Sequence, residues 1–306
     1  MLLTPDIKTV MVNITNRCNL ECKHCYVSSS PSGHIGLADE DLLRLVDSLK
    51  EIYPKTTLAI SGGEPLVRMK TVKLLLEAAD SKIEPFILTN GHFFNERFFE
   101  TILPYMPRMR VSIDGGDERS HDFIRGNGSF RKTLEGLFRL KEHSYDMSKL
   151  EFFCTLPPNQ EHNLYSILEL CEELNVSKVK VEPIAKTGRA KEFWPIKNTE
   201  SYNDDDHYSF QLFFDRFQIN KWNVNSLPDM SFSCLSIYSN GDVYPYVYYD
   251  EKDKKSALLG NISSSKLKDI LDPDSIHKAI VSKLFTAYRG GKRSLTSKGL
   301  VRNYNK

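Results

Sequence analysis

The sequence predicts an α/β fold in which six parallel strands are joined by helices and followed by a smaller α+β extension. Three observations carry this. Short apolar runs alternate with helically periodic segments through the first 185 residues. That rhythm breaks after Pro183. Beyond the break, Ser239-Asn240-Gly241-Asp242 sits between two apolar runs, a strong hairpin signal.

The strands are expected at 9–15, 57–61, 85–89, 109–114, 150–155 and 178–183. Between them, Leu42, Leu45, Val46 and Leu49 recur at helical spacing, as do Leu134, Leu137, Phe138 and Leu140. A helix between each pair of strands implies a parallel sheet. The spacing fits a curved partial barrel and an open doubly wound sheet equally well. Residues 186–203 read as a linker and 204–217 as a helix whose acidic start suits its dipole. Strands at 232–238 and 243–248 form the hairpin, and helices follow at 264–271 and 275–288. Residues 289–306 hold six cations and no acid, and are expected to form a basic tail. The expected division is 1–190, 191–288 and 289–306.

Composition narrows the function classes. Apolar residues make up 40% of the 306, enough for a sizeable core, and a net charge of +1 argues against a general nucleic-acid binder. No apolar run reaches about 18 residues, so no membrane span is expected. Residues 1–8 lack the charged and apolar regions of a signal peptide, so a cytoplasmic location is expected. Thiols stay reduced there, which makes the six cysteines ligands, reactive groups or core residues rather than disulfides.

Cys18, Cys22 and Cys25 form C-x3-C-x2-C directly after the first strand, among the polar residues Asn16, Arg17, Asn19 and Lys23. Three thiolates in one short loop suit a single metal centre. A structural zinc site needs four closed ligands, and His24 or His34 would have to be the fourth. A [4Fe–4S] cluster held by three cysteines instead leaves one iron open to a small-molecule ligand.

The segment 15–26, Thr-Asn-Arg-Cys-Asn-Leu-Glu-Cys-Lys-His-Cys-Tyr, resembles the cluster loop of radical S-adenosylmethionine (radical SAM) enzymes. It is closest to the branch with SPASM or twitch C-terminal extensions. The resemblance covers residues 8–190 well and becomes partial afterwards. It implies a partial (β/α)6 TIM-like barrel with a twitch-like extension, one [4Fe–4S] cluster on Cys18, Cys22 and Cys25, and S-adenosyl-L-methionine as cofactor. The implied chemistry is reductive cleavage of that cofactor to a 5′-deoxyadenosyl radical, which abstracts hydrogen from a substrate.

Further motifs carry the resemblance. Gly62, Gly63 and Glu64 end the second strand; paired glycines permit close backbone approach, and Glu64 is able to accept bonds from an ammonium. In the family the matching segment binds the cofactor's methionine amino group. Ser112 and Asp114 close the fourth strand on one face, expected to be the barrel interior. By resemblance Ser112 contacts the ribose and Arg125 lies near the cofactor carboxylate. His24 takes the aromatic position beside the adenine, with Tyr26 in the same loop. Asn90 faces cofactor or substrate from the third-strand loop, and Ile184 neighbours the adenine after the sixth strand, with Gly188-Arg189 soon after.

The sequence departs from this branch in its extension. Only Cys154, Cys171 and Cys234 remain beyond the triad, and Tyr246 stands where a second auxiliary-cluster cysteine is expected. Cys171 is expected in the core, and Cys154 in strand five on either face. Cys234 is the candidate catalytic residue, a hydrogen-atom donor, with a packed remnant of a former ligand as the alternative. The expected substrate is a peptide, through epimerisation or cross-linking; a small molecule such as an amino sugar is the alternative, and a zinc-binding module the non-enzymatic one. A flavodoxin- or ferredoxin-type electron donor is implied. The first strand begins by residue 9, so no fused leader-binding domain is expected, and a separate recognition protein or the C-terminal extension would guide a peptide.

Overall fold

The computed structural model of the chain describes residues 7–157, 163–184, 187–194, 223–225, 234–245 and 257–271. The expected helices at 204–217 and 275–288, position 246 and the basic tail lie outside the described residues.

Six β/α units build the frame. The strands are β1 (Thr9–Asn13), β2 (Thr56–Ser61), β3 (Ile83–Thr89), β4 (Arg108–Ser112), β5 (Leu150–Leu156) and β6 (Lys178–Pro183). The helices between them are α1 (Asp39–Ile52), α2 (Met69–Ala78), α3 (Glu96–Thr101), α4 (Glu118–Arg125), α5 (Ser129–Glu142) and α6 (Asn163–Leu174). Neighbouring strands from β1 to β6 pair in parallel and in sequence order, the open partial barrel that was expected.

The sheet then continues at both ends. The short β7 (Asn223–Asn225) pairs in parallel with β6, and β8 (Cys234–Ile237) pairs in parallel with β1, placing Cys234 opposite Thr9. The hairpin forms where the turn signal stood: β8 runs into β9 (Asp242–Tyr244), and β10 (Gly260–Asn261) closes on β9. The ten strands make one sheet. After β6 comes the short α7 (Ala190–Phe193), and after β10 the short α8 (Leu267–Ile270), whose extent is smaller than the expected 264–271.

The periodic apolar positions form the core between sheet and helices. Leu42, Leu45, Val46 and Leu49 of α1 are buried against outward residues such as Val10, Val12, Leu58 and Ile60. In α5 the apolar stripe is narrower than its sequence: Leu137 and Leu140 are buried, but Phe138 stays 39% exposed. Helix starts follow side-chain chemistry. Asn95 and Asp117 each accept a backbone N–H of the first turn they precede. Arg68 pairs with Asp39 at 2.6 Å and donates to the carbonyls of Ile14 and Leu37, fastening α1 to the loop after β1.

The opposite, inner face is different. It holds a small apolar patch of Met11, Ala59 and Phe86 with Leu88, and a row of ion pairs, Arg108–Glu84, Arg110–Glu151 and Lys180–Glu182. No helix among the described residues is long and apolar enough to cross a membrane.

Candidate active site

The C-terminal ends of the parallel strands and the segments that follow them, where sites in such sheets form, hold the residues singled out by the sequence except Cys234, which starts β8 opposite Thr9 at the other end of β1. The cysteine loop leaves β1 and folds through its own backbone. The Cys18 N–H donates to the Ser30 carbonyl, the Cys25 N–H to the Cys22 carbonyl, and the Ser29 hydroxyl to Asn16. This geometry turns donors toward sulphur. The Leu20 N–H lies 3.4 Å from Cys18 Sγ, the Ser29 N–H 3.2 Å from Cys25 Sγ, and Arg125 Nη1 3.9 Å from Cys22 Sγ.

Gly62, Gly63 and Glu64 pack on this loop. The Gly63 N–H donates to the Thr15 carbonyl at 2.8 Å and the Glu64 N–H to the Arg17 carbonyl at 3.0 Å. The close approach that the glycines permit is to the cysteine loop itself. A Cβ at Gly62 would lie 2.4 Å from the Thr15 carbonyl oxygen, and one at Gly63 would lie 2.4 Å from that of Arg17. Gly63→Ala is therefore expected to cost roughly 1–3 kcal/mol by overpacking and to lower the iron retained after anaerobic reconstitution. Denaturant unfolding and iron analysis check this.

The Glu64 carboxylate is buried and occupied within the fold. It accepts from Leu66 N at 3.0 Å, Thr89 Oγ1 at 2.9 Å and Asn90 N at 2.7 Å. Burial pushes its carboxyl up to about 7, against the opposing effect of those donors. Asn90 extends the chain of contacts: its Nδ2 donates to Asn19 Oδ1 at 2.9 Å and lies 3.9 Å from Cys18 Sγ.

Asp114 is the second junction. It is fully buried and accepts from His24 Nε2 at 2.7 Å, Arg125 Nε at 2.5 Å and the Thr155 N–H at 2.8 Å. Burial alone would raise its carboxyl, but Arg125 and His24 outweigh that and hold it well below the usual carboxylate range. The cysteine loop, α4 and β5 thus meet on one side chain. Ser112 is half-buried at the end of β4. Ile184 is buried just beyond β6.

His121 lies behind Asp114, and the Asp114 N–H donates to its Nδ1. Burial, reinforced by Arg125, pushes the His121 imidazole down to about 3. Between about pH 3 and 6.5 the unfolded chain binds a proton here that the folded chain does not. The stability this neutral histidine provides is complete above 6.5 and is lost as pH falls, by roughly 1.4 kcal/mol per pH unit at most. His121→Asn is expected to flatten that slope, as read from urea unfolding at pH 5 and pH 7.

Arg189 was not singled out as a site residue, yet it clamps the cysteine loop. Its Nε donates to the Cys22 carbonyl at 2.9 Å, its Nη2 to the Ser29 carbonyl at 2.7 Å, and its N–H to the Cys25 carbonyl at 3.0 Å. Gly188 precedes it because a Cβ there would lie 2.3 Å from the Cys25 carbonyl oxygen. Asn13, also missed, accepts from the Tyr26 hydroxyl at 3.1 Å, while its buried Nδ2 has no partner among the described residues. The Gly-Arg pair was the available signal for Arg189; a lone Asn ending a strand gave none.

The remaining cysteines separate by face. Cys154 and Cys171 are buried in the outer apolar core. Leu235 and Ile237 enter that same core, so alternation sends Cys234 and Ser236 to the inner face. The two histidines either of which was the candidate fourth zinc ligand each make another contact: His24 Nε2 meets Asp114, and His34 Nε2 lies 3.0 Å from Ser239 Oγ. Among the described residues, no three His, Cys, Asp or Glu side chains converge as ligands of a single ion would. A four-iron cluster instead takes one thiolate at each of three irons, so its ligands stand apart.

The residues fit such a cluster: three thiols, N–H donors aimed at sulphur, and, at the end of β1, a buried amide with no partner among the described residues. Burial pushes the free Cys18 thiol up to about 12 and that of Cys22 to about 11, so bound metal is what would hold them as thiolates. An open parallel half-barrel with a three-thiol loop at its C-terminal mouth defines an iron–sulphur protein. A family model for the radical SAM superfamily matches residues 12–171, just over half of the chain, and the chain belongs to that superfamily. Its members use a [4Fe–4S] cluster and S-adenosylmethionine.

The chain is similar to an AdoMet-dependent heme synthase of Nitratidesulfovibrio vulgaris, 25% identical over 61% of this chain and 51% of the relative. It is also similar to the antilisterial bacteriocin subtilosin biosynthesis protein AlbA of Bacillus subtilis, 24% identical over 87% of this chain and 59% of AlbA. The chain thus spans little more than half the length of these relatives. In fold it matches Streptococcus suis SuiB bound to the precursor peptide SuiA, with TM-score 0.69 over 98% of this chain and 70% of SuiB, at 14% identity.

Proposed function

We propose that the chain is a radical SAM enzyme that modifies a peptide. The observation that carries this is where the similarity ends. The heme synthase match covers 61% of the chain, whereas the match to AlbA, which serves bacteriocin biosynthesis, covers 87% and so takes in much of the chain beyond the superfamily domain. The SuiB fold, seen with a precursor peptide, supports the same reading.

In this reading Cys18, Cys22 and Cys25 hold the cluster, with the Leu20 and Ser29 amides and Arg125 facing their sulphurs. When bound, the cluster and S-adenosylmethionine supply radical abstraction of a substrate hydrogen. Asp114 holds Arg125 beside Cys22, where a guanidinium suits the carboxylate of an amino-acid tail. His24, Tyr26, Gly62, Gly63, Glu64, Asn90, Ser112 and Ile184 complete the cofactor's surroundings as the family resemblance implies. The buried strand ends exclude water and stray hydrogen donors. Cys234 is the candidate hydrogen donor, supported by its place on the inner face.

The test is mass spectrometry of reactions with deuterated peptides, following deuterium into 5′-deoxyadenosine. Transfer supports the proposal; transfer only from a deuterated small molecule such as an amino sugar would replace it. For Cys234, heavy water should label the product, and Cys234→Ala should abolish that label.

A further inference from the structure

Lys23 and His24, neighbours in the cysteine loop, turn opposite ways. His24 reaches inward to buried Asp114. Lys23 turns outward, its ammonium 3.7 Å from the centre of the Phe123 ring and 5.5 Å from that of Phe193. Both rings are about half exposed, Phe123 at 49% and Phe193 at 48%. Three separate segments therefore present two aromatic faces around one cation at the surface. Among the described residues that ammonium meets no carboxylate, so its charge is left to attract an outside partner.

The patch is mounted on the backbone of the cluster ligands. The Lys23 N–H donates to the Ile124 carbonyl at 2.9 Å, fixing the helix of Phe123 to the loop between Cys22 and Cys25. Arg189, at the start of the segment ending in Phe193, holds the carbonyls of Cys22 and Cys25. We propose that Phe123, Lys23 and Phe193 form the docking surface for a small acidic one-electron carrier protein. In each encounter one electron leaves the reduced carrier, which is oxidised, and enters the cluster, which is reduced. The inference rests on the proposal that Cys18, Cys22 and Cys25 hold that cluster.

The chemistry of the patch fits this partner. Exposed aromatic side chains rimmed by polar ones mark interaction surfaces. Electron-transfer encounters are among the smallest protein interfaces, so two aromatic rings and a cation form a sizeable part of the contact such a carrier needs. A cation at its centre steers an acidic carrier and makes the encounter sensitive to salt.

The test uses the reconstituted holoenzyme in stopped-flow, with bleaching of the cluster absorbance near ~400 nm as readout. One reductant is a reduced acidic flavodoxin; the other is dithionite, which needs no docking. Phe123→Ser, Phe193→Ser and Lys23→Glu are each expected to lower the second-order rate with flavodoxin by about tenfold. The dithionite rate should stay within about twofold, and Lys23→Glu should also weaken the salt dependence. Unchanged flavodoxin rates in all three variants would overturn the inference, and so would equal slowing with dithionite. A raised peptide KM under dithionite would also overturn it, by assigning the patch to the substrate. A wild-type protein with nothing for dithionite to bleach would instead sink the cluster assignment beneath it.

Discussion

Serine in place of Cys18, Cys22 or Cys25 is expected to remove the iron and to lower S-adenosylmethionine cleavage by a factor of about a thousand or more, roughly 4 kcal/mol of transition-state stabilisation. A serine hydroxyl stays protonated where a thiolate is required, and two remaining thiolates leave a second iron unheld. The fold should survive. Cys18 and Cys22 are buried in a loop set by backbone bonds to Ser30 and within the loop, which the substitution leaves in place. Iron content, absorbance and 5′-deoxyadenosine yield after anaerobic reconstitution read the loss, and circular dichroism checks the fold. Retained activity in any one variant would remove the assignment of the triad.

Asp114→Asn is expected to be the most costly single change at the site outside the triad. The carboxylate carries the only charge that meets Arg125 at hydrogen-bond distance among the described residues, and the pair is buried on both sides. Removing one member of a buried ion pair strands the other and costs about 3–5 kcal/mol. An asparagine would also set an amide donor against His24, Arg125 or the Thr155 N–H. The expected result is lower stability in denaturant together with loss of cluster retention. A double variant with Arg125→Leu should recover part of the stability and none of the S-adenosylmethionine cleavage, because the stranded charge is gone but the guanidinium beside Cys22 is gone too. Full additivity of the two changes would mean that they do not act as a pair.

Much of this arrangement was legible in the sequence because it is local. The six β/α units follow from periodicity, as in Leu42, Leu45, Val46 and Leu49, which all enter the core. Phe138 did not follow it: α5 covers the sheet with a narrower stripe than its apolar residues allow, and the large ring is left outside. The hairpin formed where Asn240-Gly241 marked it, since a tight turn depends on residues adjacent in the chain.

The partners of the marked residues were a different matter. Glu64 is marked by the sequence as an acceptor, but nothing in its motif names the three donors its carboxylate meets in the fold, Leu66 N, Thr89 Oγ1 and Asn90 N. Arg189 lies far along the chain from Cys22, and no spacing rule connects them.

By itself, then, the sequence determined the parallel α/β frame, the thiol triad with its glycine turn, and the family to which they belong, because each is written in residues a few positions apart. Tertiary structure alone decided that β8 would lie beside β1, that Asp114 would join three elements, and that Lys23 would turn out to Phe123 and Phe193. Those choices depend on burial and charge meeting across long stretches of chain, and only the closed packing of the whole domain sets them.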